Sequence, residues 1–444
     1  MYRPTTPRLR LLPIAWALAG AFAASQSSAQ SLQDLYTAAR GYDASYQSAK
    51  SLYDANLAKA EQAKALLLPT ANFGMGASRS NQEILPNPDR SYGSQTATIS
   101  ASQPLYRPVN KASYEQGMKS VEAAKAQLLA SEQDLIVRVS QAYFDVLAST
   151  DSLTFVKAQK AAVAEQLASA KRNFEVGTST ITDTREAQAR FDLVVAQELA
   201  AENDLRVKSI ALNQLVGVSN ASPKPLAAPI VLAPLVPADP EAWVQQSEDQ
   251  HPALAQLKVA LEVAKLETAK AEAGHKPTLD LTGSYSAVNN NGTNQAVGDS
   301  RVNVATVGVS FNLPLFAGFA TQNRIKETLA LEEKARTDLE ASRRTIAQAT
   351  RTAYFGVQSG QAQVKAYEAA ETSSQSALDA NKLGYQVGVR INIDVLNSQS
   401  QLFSTKATLA KARYDVLVGG LKLKQAAGTL KAEDLAPINS QLVP

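Results

Sequence analysis

The sequence has no cysteine and only two histidines, His251 and His275. Disulfides are therefore excluded, and so is a lipid anchor on an N-terminal cysteine. His251 stands directly before Pro252, and His275 lies two residues before Pro277, so both read as helix-boundary residues and not as ligands. There is no HExxH motif and no glycine-rich phosphate loop. Aromatic residues make up only 6% of the chain, so a core of large rings is not expected; small side chains at repeated positions suit close helix packing instead. Trp243 is the one tryptophan beyond the N-terminal segment and reads as a packing residue. An excess of one charge sign is also missing. The 44 Lys and Arg include Arg3, Arg8 and Arg10 of the N-terminal segment, and the rest balance the 41 Asp and Glu, which gives no footprint for nucleic acid. Beyond that segment no apolar run reaches the ~18 residues of a membrane helix, so any crossing of a bilayer must use strands.

The N-terminal segment itself has the layout of a secretory signal: three arginines, the apolar stretch 11–24, and the small residues Ser27-Ser28-Ala29. Cleavage is expected after Ala29, which makes 1–29 a signal peptide.

What the chain has in abundance is repetition. RNFEVGTSTITDTREAQARF, from Arg172, returns about 210 residues later as KLGYQVGVRINIDVLNSQSQLF, from Lys382. Val176-Gly177 matches Val387-Gly388, Asp183 matches Asp394, and Tyr143-Phe144 matches Tyr354-Phe355. Two tandem units are expected, repeat 1 over 30–217 and repeat 2 over 241–430. The connector 218–240 is rich in proline, and a tail follows over 431–444. A duplication of this length points to a pseudo-symmetric array and not to an enzyme built around one cleft.

Each unit reads the same way. A helix comes first (31–67, then 241–274); in the first, Leu32, Ala39, Tyr46, Tyr53, Ala60 and Leu67 recur at every seventh position. Two alternating segments follow, separated by the turn-rich loops 85–93 and 289–300. Leu279, Leu281, Gly283, Tyr285 and Ala287 alternate with Thr278, Asp280, Thr282, Ser284 and Ser286. Each segment holds about ten residues, the length that crosses a bilayer at a tilt. Helical stretches of roughly 70 residues come next (106–174 and 316–385), about 100 Å if continuous, which suits a rod or tube. Each unit closes with a further helix, 183–216 or 394–427. In the latter, Val395, Leu402, Leu409, Val416 and Leu423 keep the seven-residue step. Gly177 and Gly388 mark the corners before these last helices, where positive φ is cheap for glycine.

These stretches resemble the TolC family of outer-membrane channel-tunnels over nearly the whole chain, from Ser31 to about Leu430. The most specific are Tyr385-Gln386-Val387-Gly388, Asp394-Val395-Leu396 and Ala412-Arg413-Tyr414, with Asn173-Phe174-Glu175-Val176-Gly177 and Ile181-Thr182-Asp183 as counterparts. The resemblance implies a mainly α protein with transmembrane β: a homotrimer with a long-helix α-barrel and a shared twelve-stranded β-barrel, four strands from each copy. Strand count independently favours an oligomer, because four strands cannot close a barrel and twelve enclose a water-filled lumen. Further implications are the outer membrane of a Gram-negative bacterium with a periplasmic extension, contact with outer-membrane lipid, and a passive exit duct for type I protein secretion, multidrug efflux or both. Its partners would be a periplasmic adaptor (membrane fusion protein) and an inner-membrane transporter of ABC, RND or MFS type. No cofactor, metal, nucleic acid or catalysis is implied.

The family closes its periplasmic end by coiling inner helices inward, with links between neighbouring helices. Matched residue by residue, Tyr385 and Arg390 fall at link positions on the second corner, and Thr182 and Asp183 fall at partner positions on the first. A contact such as Arg390 to Asp183 would bias a bistable tip. Asp394 matches the acid that lines the aperture, and three copies would form a carboxylate ring. One turn further the family has a second aspartate where this chain has Asn397, which halves the ring charge and weakens the expectation of cation block. Asp183 also reads as a helix cap, with Glu186 completing a capping box, and Asp394 reads the same way for its own helix. A soluble periplasmic coiled-coil adaptor or scaffold is the competing reading. It is disfavoured by two equivalent strand–helix units where an adaptor has one helical hairpin.

Overall fold

The computed structural model describes residues 29–84, 87–227, 229–292 and 298–443. The expected signal peptide therefore lies, apart from Ala29, outside the described residues. In chain order the elements are α1 (Leu32–Tyr42), α2 (Ala44–Ala65), β1 (Thr70–Ile84), β2 (Asn87–Tyr106), α3 (Pro108–Glu175) and α4 (Ile181–Val216). The second set is α5 (Pro240–Gln250), α6 (Pro252–Glu272), β3 (Thr278–Asn291), β4 (Asp299–Asn312), α7 (Ala320–Gln386) and α8 (Asn392–Ala426). A short tail helix, α9 (Ala436–Asn439), ends the series.

The four strands form one antiparallel sheet in the order β1-β2-β3-β4. Its register sorts side chains by chemistry. Phe73 lies opposite Ile99, Ile99 opposite Tyr285 and Tyr285 opposite Ala305; one step along, Asn72, Ser100, Ser284 and Thr306 form the matching polar row. Successive residues face opposite sides of a strand, so one face is apolar and exposed while the other is polar. β1 and β4 each keep one edge unpaired within the protomer. The strands hold 15, 20, 14 and 14 residues, longer than the ten expected. Much of each expected loop is paired strand, with Arg90 opposite Gln82 and Asn290 opposite Ser300. Apolar alternation marks only the part of a hairpin with an apolar surround; outside it the backbone pairs without that pattern.

Each expected first helix is broken in two. At Asp43 the backbone turns extended (φ −60°, ψ 116°), and its carboxylate caps the next helix by accepting from the Tyr46 N–H at 2.8 Å. Arg138 of α3 grips the same carboxylate through two hydrogen bonds of 2.9 and 3.1 Å. In the second unit the break is at His251, where the following proline disfavours helical backbone. The seven-residue seam passes through the first break, and Leu32, Ala39, Tyr46 and Ala60 are all buried. Below the sheet, α2, α3, α6 and α7 pack in that order. Glu267 of α6 fastens three of them, accepting from Gln116 of α3 at 3.0 Å, from Lys270 at 3.0 Å and from Arg324 of α7 at 2.7 Å. These bonds, led by that from Gln116, hold its carboxyl at about 2.

The long helices are continuous over 68 and 67 residues. Near the middle of α3 the first described residues, the C-terminal tail, the connector and the helix breaks gather into a waist. Leu32, Leu35, Leu135, Ile136, Tyr143, Phe144, Leu212, Leu430 and Leu435 share one buried cluster there. The Tyr143 hydroxyl donates to the Lys224 carbonyl at 2.7 Å, tying the connector down. Trp243 packs with Tyr354, Val357 and Leu423 in a second cluster. Beyond the waist, α3 pairs with α4, α7 pairs with α8, and α3 also packs on α8. Among the described residues no helix is long and apolar enough to cross a membrane.

The two units match in backbone detail. Gly177 and Gly388 have φ of 76° and 80°, and Gly217 and Gly428 have φ of 70° and 74°. Their surroundings differ sharply. A Cβ at residue 428 would lie 2.5 Å from His251 Cα, whereas one at residue 177 meets nothing within 4 Å. Gly177→Ala is therefore expected to cost about 1–2 kcal/mol, the left-handed penalty alone. Gly428→Ala adds a backbone clash and is expected to cost on the order of 3 kcal/mol or more. Thermal unfolding of the detergent-solubilised protein, followed by circular dichroism, checks the order; equal losses would contradict it.

Candidate functional site

The two corners at the far end of the helical hairpins carry the residues singled out from sequence. Both are built alike. The Val176 N–H donates to the Arg172 carbonyl, the Gly177 N–H to Phe174 and the Thr178 N–H to Asn173. At the second corner Val387 donates to Leu383, Gly388 to Tyr385 and Val389 to Gly384. This closure satisfies the last carbonyls of each long helix and needs a left-handed residue, which both glycines supply. Gly384 has a second role: the Arg390 side chain folds back over it, and a Cβ there would sit 2.6 Å from Arg390 Cγ.

Asp183 is not the cap of α4. Thr180 is the cap, and Asp183 three residues on is its reciprocal partner: the Asp183 N–H donates to Thr180 Oγ1 at 3.1 Å, and the Thr180 N–H donates to Asp183 Oδ2 at 3.0 Å. The Ser179 hydroxyl donates to the same oxygen at 2.9 Å. Glu186, the expected partner, plays no part in this box, because the helix starts earlier than its apolar pattern suggests. The Thr180 N–H and then its hydroxyl hold the Asp183 carboxyl below its ordinary value, against burial, which raises it; the Ser179 hydroxyl adds to the lowering. Asp394 is likewise third in its helix and not the cap. Ile391 stands at the cap position and gives no side-chain bond.

The expected contact between Arg390 and Asp183 is not made within the protomer. Arg390 lies 3.7 Å from Asp394 on its own corner, while Asp183 is engaged by Thr180 and Ser179. Opposite charges so close satisfy each other locally before either can reach across. Tyr385 does reach across, accepting from Asn173 Nδ2 at 3.1 Å. Thr182 is exposed at the start of α4. Asn397 is exposed on α8 and accepts from Arg190 of α4 at 2.8 Å.

Sequence reasoning missed four participants. Asn173 and Arg190 are two of them. The others are Gln166 of α3, which donates to Asn392 of α8, and Asn392 itself, which is only 3% exposed. Leu396 packs beside them among Val163, Leu167, Ala170, Ala187 and Val194 of the first hairpin. Polar residues are common all along these helices, so composition gave no cue. The available signal was disagreement between the repeats: Asn392 stands where the first unit has Ile181, and Asn397 where it has Glu186. Among the described residues no group of His, Asp and Glu assembles that could hold a metal ion.

Thr180→Ala removes the cap and is expected to cost about 1 kcal/mol locally, speeding hydrogen exchange at the amides of 181–184 about fivefold. The Asp183 part of the box favours the carboxylate, so it is complete above the ordinary carboxyl value near 4 and is lost as pH falls through the lower folded value. Protection corrected for intrinsic rates should follow that course; protection unaffected by the substitution or by acid would contradict it.

Comparison with known proteins gives a consistent picture. The family model described as "Outer membrane efflux protein" matches residues 35–218 and again 243–429. The chain is 33% identical to the outer membrane protein TolC of Vibrio cholerae serotype O1, over 98% of each chain. It is 31% identical to the alkaline protease secretion protein AprF of Pseudomonas aeruginosa, over 93% of this chain and 87% of that one. Among solved structures, CusC superposes with a TM-score of 0.78 at 18% identity, covering 90% of this chain and 92% of that chain.

Proposed function

Because this chain belongs to the outer membrane efflux protein family, we propose a working description in which each part of the protomer serves one conduit. The protein is an outer-membrane export channel with a periplasmic extension, of the kind that serves type I secretion and efflux. The adaptor reading is set aside. The family is one of channels and transport proteins; that this chain catalyses nothing belongs to the proposal.

One observation carries the description: a four-stranded sheet with an exposed apolar face, a polar reverse face and two open edges. In a bilayer every backbone group must be paired, so such a sheet is usable only as part of a closed barrel. Four strands are too few, and three copies give twelve. The apolar rows through Phe73, Ile99 and Tyr285 then face lipid, and the polar rows through Ser100 and Ser284 face water. Channels of this family are trimers that work with an adaptor and an inner-membrane transporter. For this chain we assign a homotrimer with a periplasmic adaptor and a transporter of ABC, RND or MFS type as the source of energy. Residues 30–217 and 241–430 act as the two repeats, joined by the connector 218–240 and followed by the tail 431–444; residues 1–29 act as the export signal.

The corners form the gated periplasmic end in this reading. Three copies of Asp394 would ring the aperture, each partly neutralised by its own Arg390 at 3.7 Å. With Asn397 as the next polar residue, the ring carries one acid per copy and favours cations weakly. Tyr385 holds the second hairpin to Asn173 of the first. Thr182 and Asp183 shape the facing corner, and Gly177 and Gly388 allow both corners to turn.

Two measurements test this. The purified protein should run as a detergent-resistant oligomer that collapses to a monomer band on boiling, and it should conduct ions in planar bilayers. Tyr385→Phe combined with Arg390→Ser removes the Asn173 acceptor and frees Asp394, and is expected to raise single-channel conductance. A soluble monomer that never conducts would end the export reading; unchanged conductance in the double variant would end the gate assignment alone.

A further inference from the structure

The apolar rows on the outer face of the sheet stop short of the hairpin turns. The last of them runs through Met75, Ala97 and Ala287. The next two rows on that same face line one shallow cleft of about 670 Å³ that crosses all four strands. Arg79 of β1 and Arg301 of β4 stand at its two margins, with the amides of Gln95, Asn289 and Asn291 between them and Asp299 beside Arg301. Three strand spacings separate the two guanidinium groups, roughly 15 Å. Gly93 lies in the middle of the cleft, where the absence of a side chain keeps it open. The Gly93 N–H donates to Asn291 Oδ1, which folds that amide over the floor. Arg79 is steadied by a bond from its Nε to Ser91 Oγ at 3.0 Å, and Arg301 makes no ion pair among the described residues.

Height places this cleft at one particular level of the membrane. All the helices join the sheet at the end that holds Thr70 and Asn312, so the hairpin turns point away from the periplasm. From Phe311 to Arg301, β4 runs about 34 Å. At a tilt near 40° that is about 26 Å of height, close to the thickness of the apolar band of an outer-membrane barrel. Arg301 and Arg79 therefore stand where hydrocarbon ends and the headgroups of the outer leaflet begin. Both are exposed, as is Asn289. A guanidinium that merely anchored the barrel at the interface would need no cleft and no row of amides beside it. Two guanidinium forks match phosphate oxygens, and amides between them can both donate to and accept from sugar hydroxyls.

We propose that this cleft is a binding site for the phosphorylated disaccharide headgroup of an outer-leaflet glycolipid, with Arg79 and Arg301 holding phosphates at its two ends and Gln95, Asn289 and Asn291 holding the sugars between. This rests on the reading of the sheet as part of a closed barrel in the outer membrane. The separation of the arginines selects the ligand. A glycerophospholipid carries one phosphate and no sugar, so it can engage one margin of the cleft at a time. A disaccharide with a phosphate at each end spans both margins and lays its hydroxyls over the amides. Asp299 is the one acid lining the cleft, and it opposes the phosphate beside Arg301. The site makes lipid contact selective at this level, whereas the apolar rows below it accept any acyl chain.

Native mass spectrometry of the purified full-length oligomer in detergent tests the proposal, with three added lipids: bisphosphorylated lipid A, the same lipid without its phosphates, and phosphatidylglycerol. The wild type is expected to retain bisphosphorylated lipid A at least tenfold more tightly than either of the others. Arg79→Gln and Arg301→Gln should each weaken that retention about fivefold, and together they should abolish the preference. Asp299→Asn removes the opposing carboxylate and should tighten it. Arg90 pairs with Gln82 in register on the reverse face of the sheet, so Arg90→Gln removes the same charge from the wrong side and should change nothing. The boiling-sensitive oligomer band verifies assembly of each variant. If an arginine variant does not assemble, discrimination among the three lipids by the wild type and the effect of Asp299→Asn decide the matter. Equal retention of phosphatidylglycerol or of dephosphorylated lipid A, or an equal loss in Arg90→Gln, would overturn the site. A wild-type protein that stays monomeric and never conducts would instead overturn the channel reading beneath it.

Discussion

The backbone of an open sheet cannot sit in lipid with its edges unpaired, and this constraint organises the whole molecule. Each unsatisfied N–H or C=O in hydrocarbon costs several kcal/mol. The protomer presents β1 and β4 as two such edges, together with an apolar face far too large for water to tolerate. Neither difficulty can be solved inside one chain, because four strands lack the circumference to close. Oligomerisation is thus a condition for the sheet to exist in its setting, and the helices below inherit the symmetry that closure imposes.

That inheritance passes through the waist. Each long helix extends about 100 Å with no break, and such a helix gains its stability from neighbours along its length. The buried cluster around Leu135, Tyr143 and Phe144 anchors α3 midway, and the cluster around Trp243 and Tyr354 does the same for α7. On the membrane side of the waist the helices are fastened by charged groups such as Glu267; on the far side the hairpins meet through amides, a phenol and one guanidinium.

Much of this was legible in the sequence, for physical reasons that can be named. The alternation in Leu279–Tyr285 exists because one face meets lipid and the other water, so period two survives in the text. The seven-residue step from Val395 to Leu423 exists because α8 packs along its length, and Val395, Leu402, Leu409, Val416 and Leu423 are all buried. The break at Asp43 was hidden because the apolar seam runs through it without a change of phase, whereas His251, standing before Pro252, read as a helix boundary and is one. The cap at Thr180 was hidden behind Asp183, whose carboxylate serves the same box from the other side. The cross-hairpin bonds were least visible, since they join residues such as Gln166 and Asn392 that are far apart in the chain and unremarkable in type. Only the failure of the two repeats to agree at those places hinted at them.

The central claim is that the free strand edges are paired between copies inside the bilayer. Amide hydrogen exchange of the membrane-embedded protein, resolved by strand, tests it most directly. Closure requires the outward amides of β1 and β4 to be as protected as those of β2 and β3, because all four would then be interior strands of one closed barrel. Free exchange along β1 and β4 beside protected β2 and β3 would mean the edges remain open, and would contradict it.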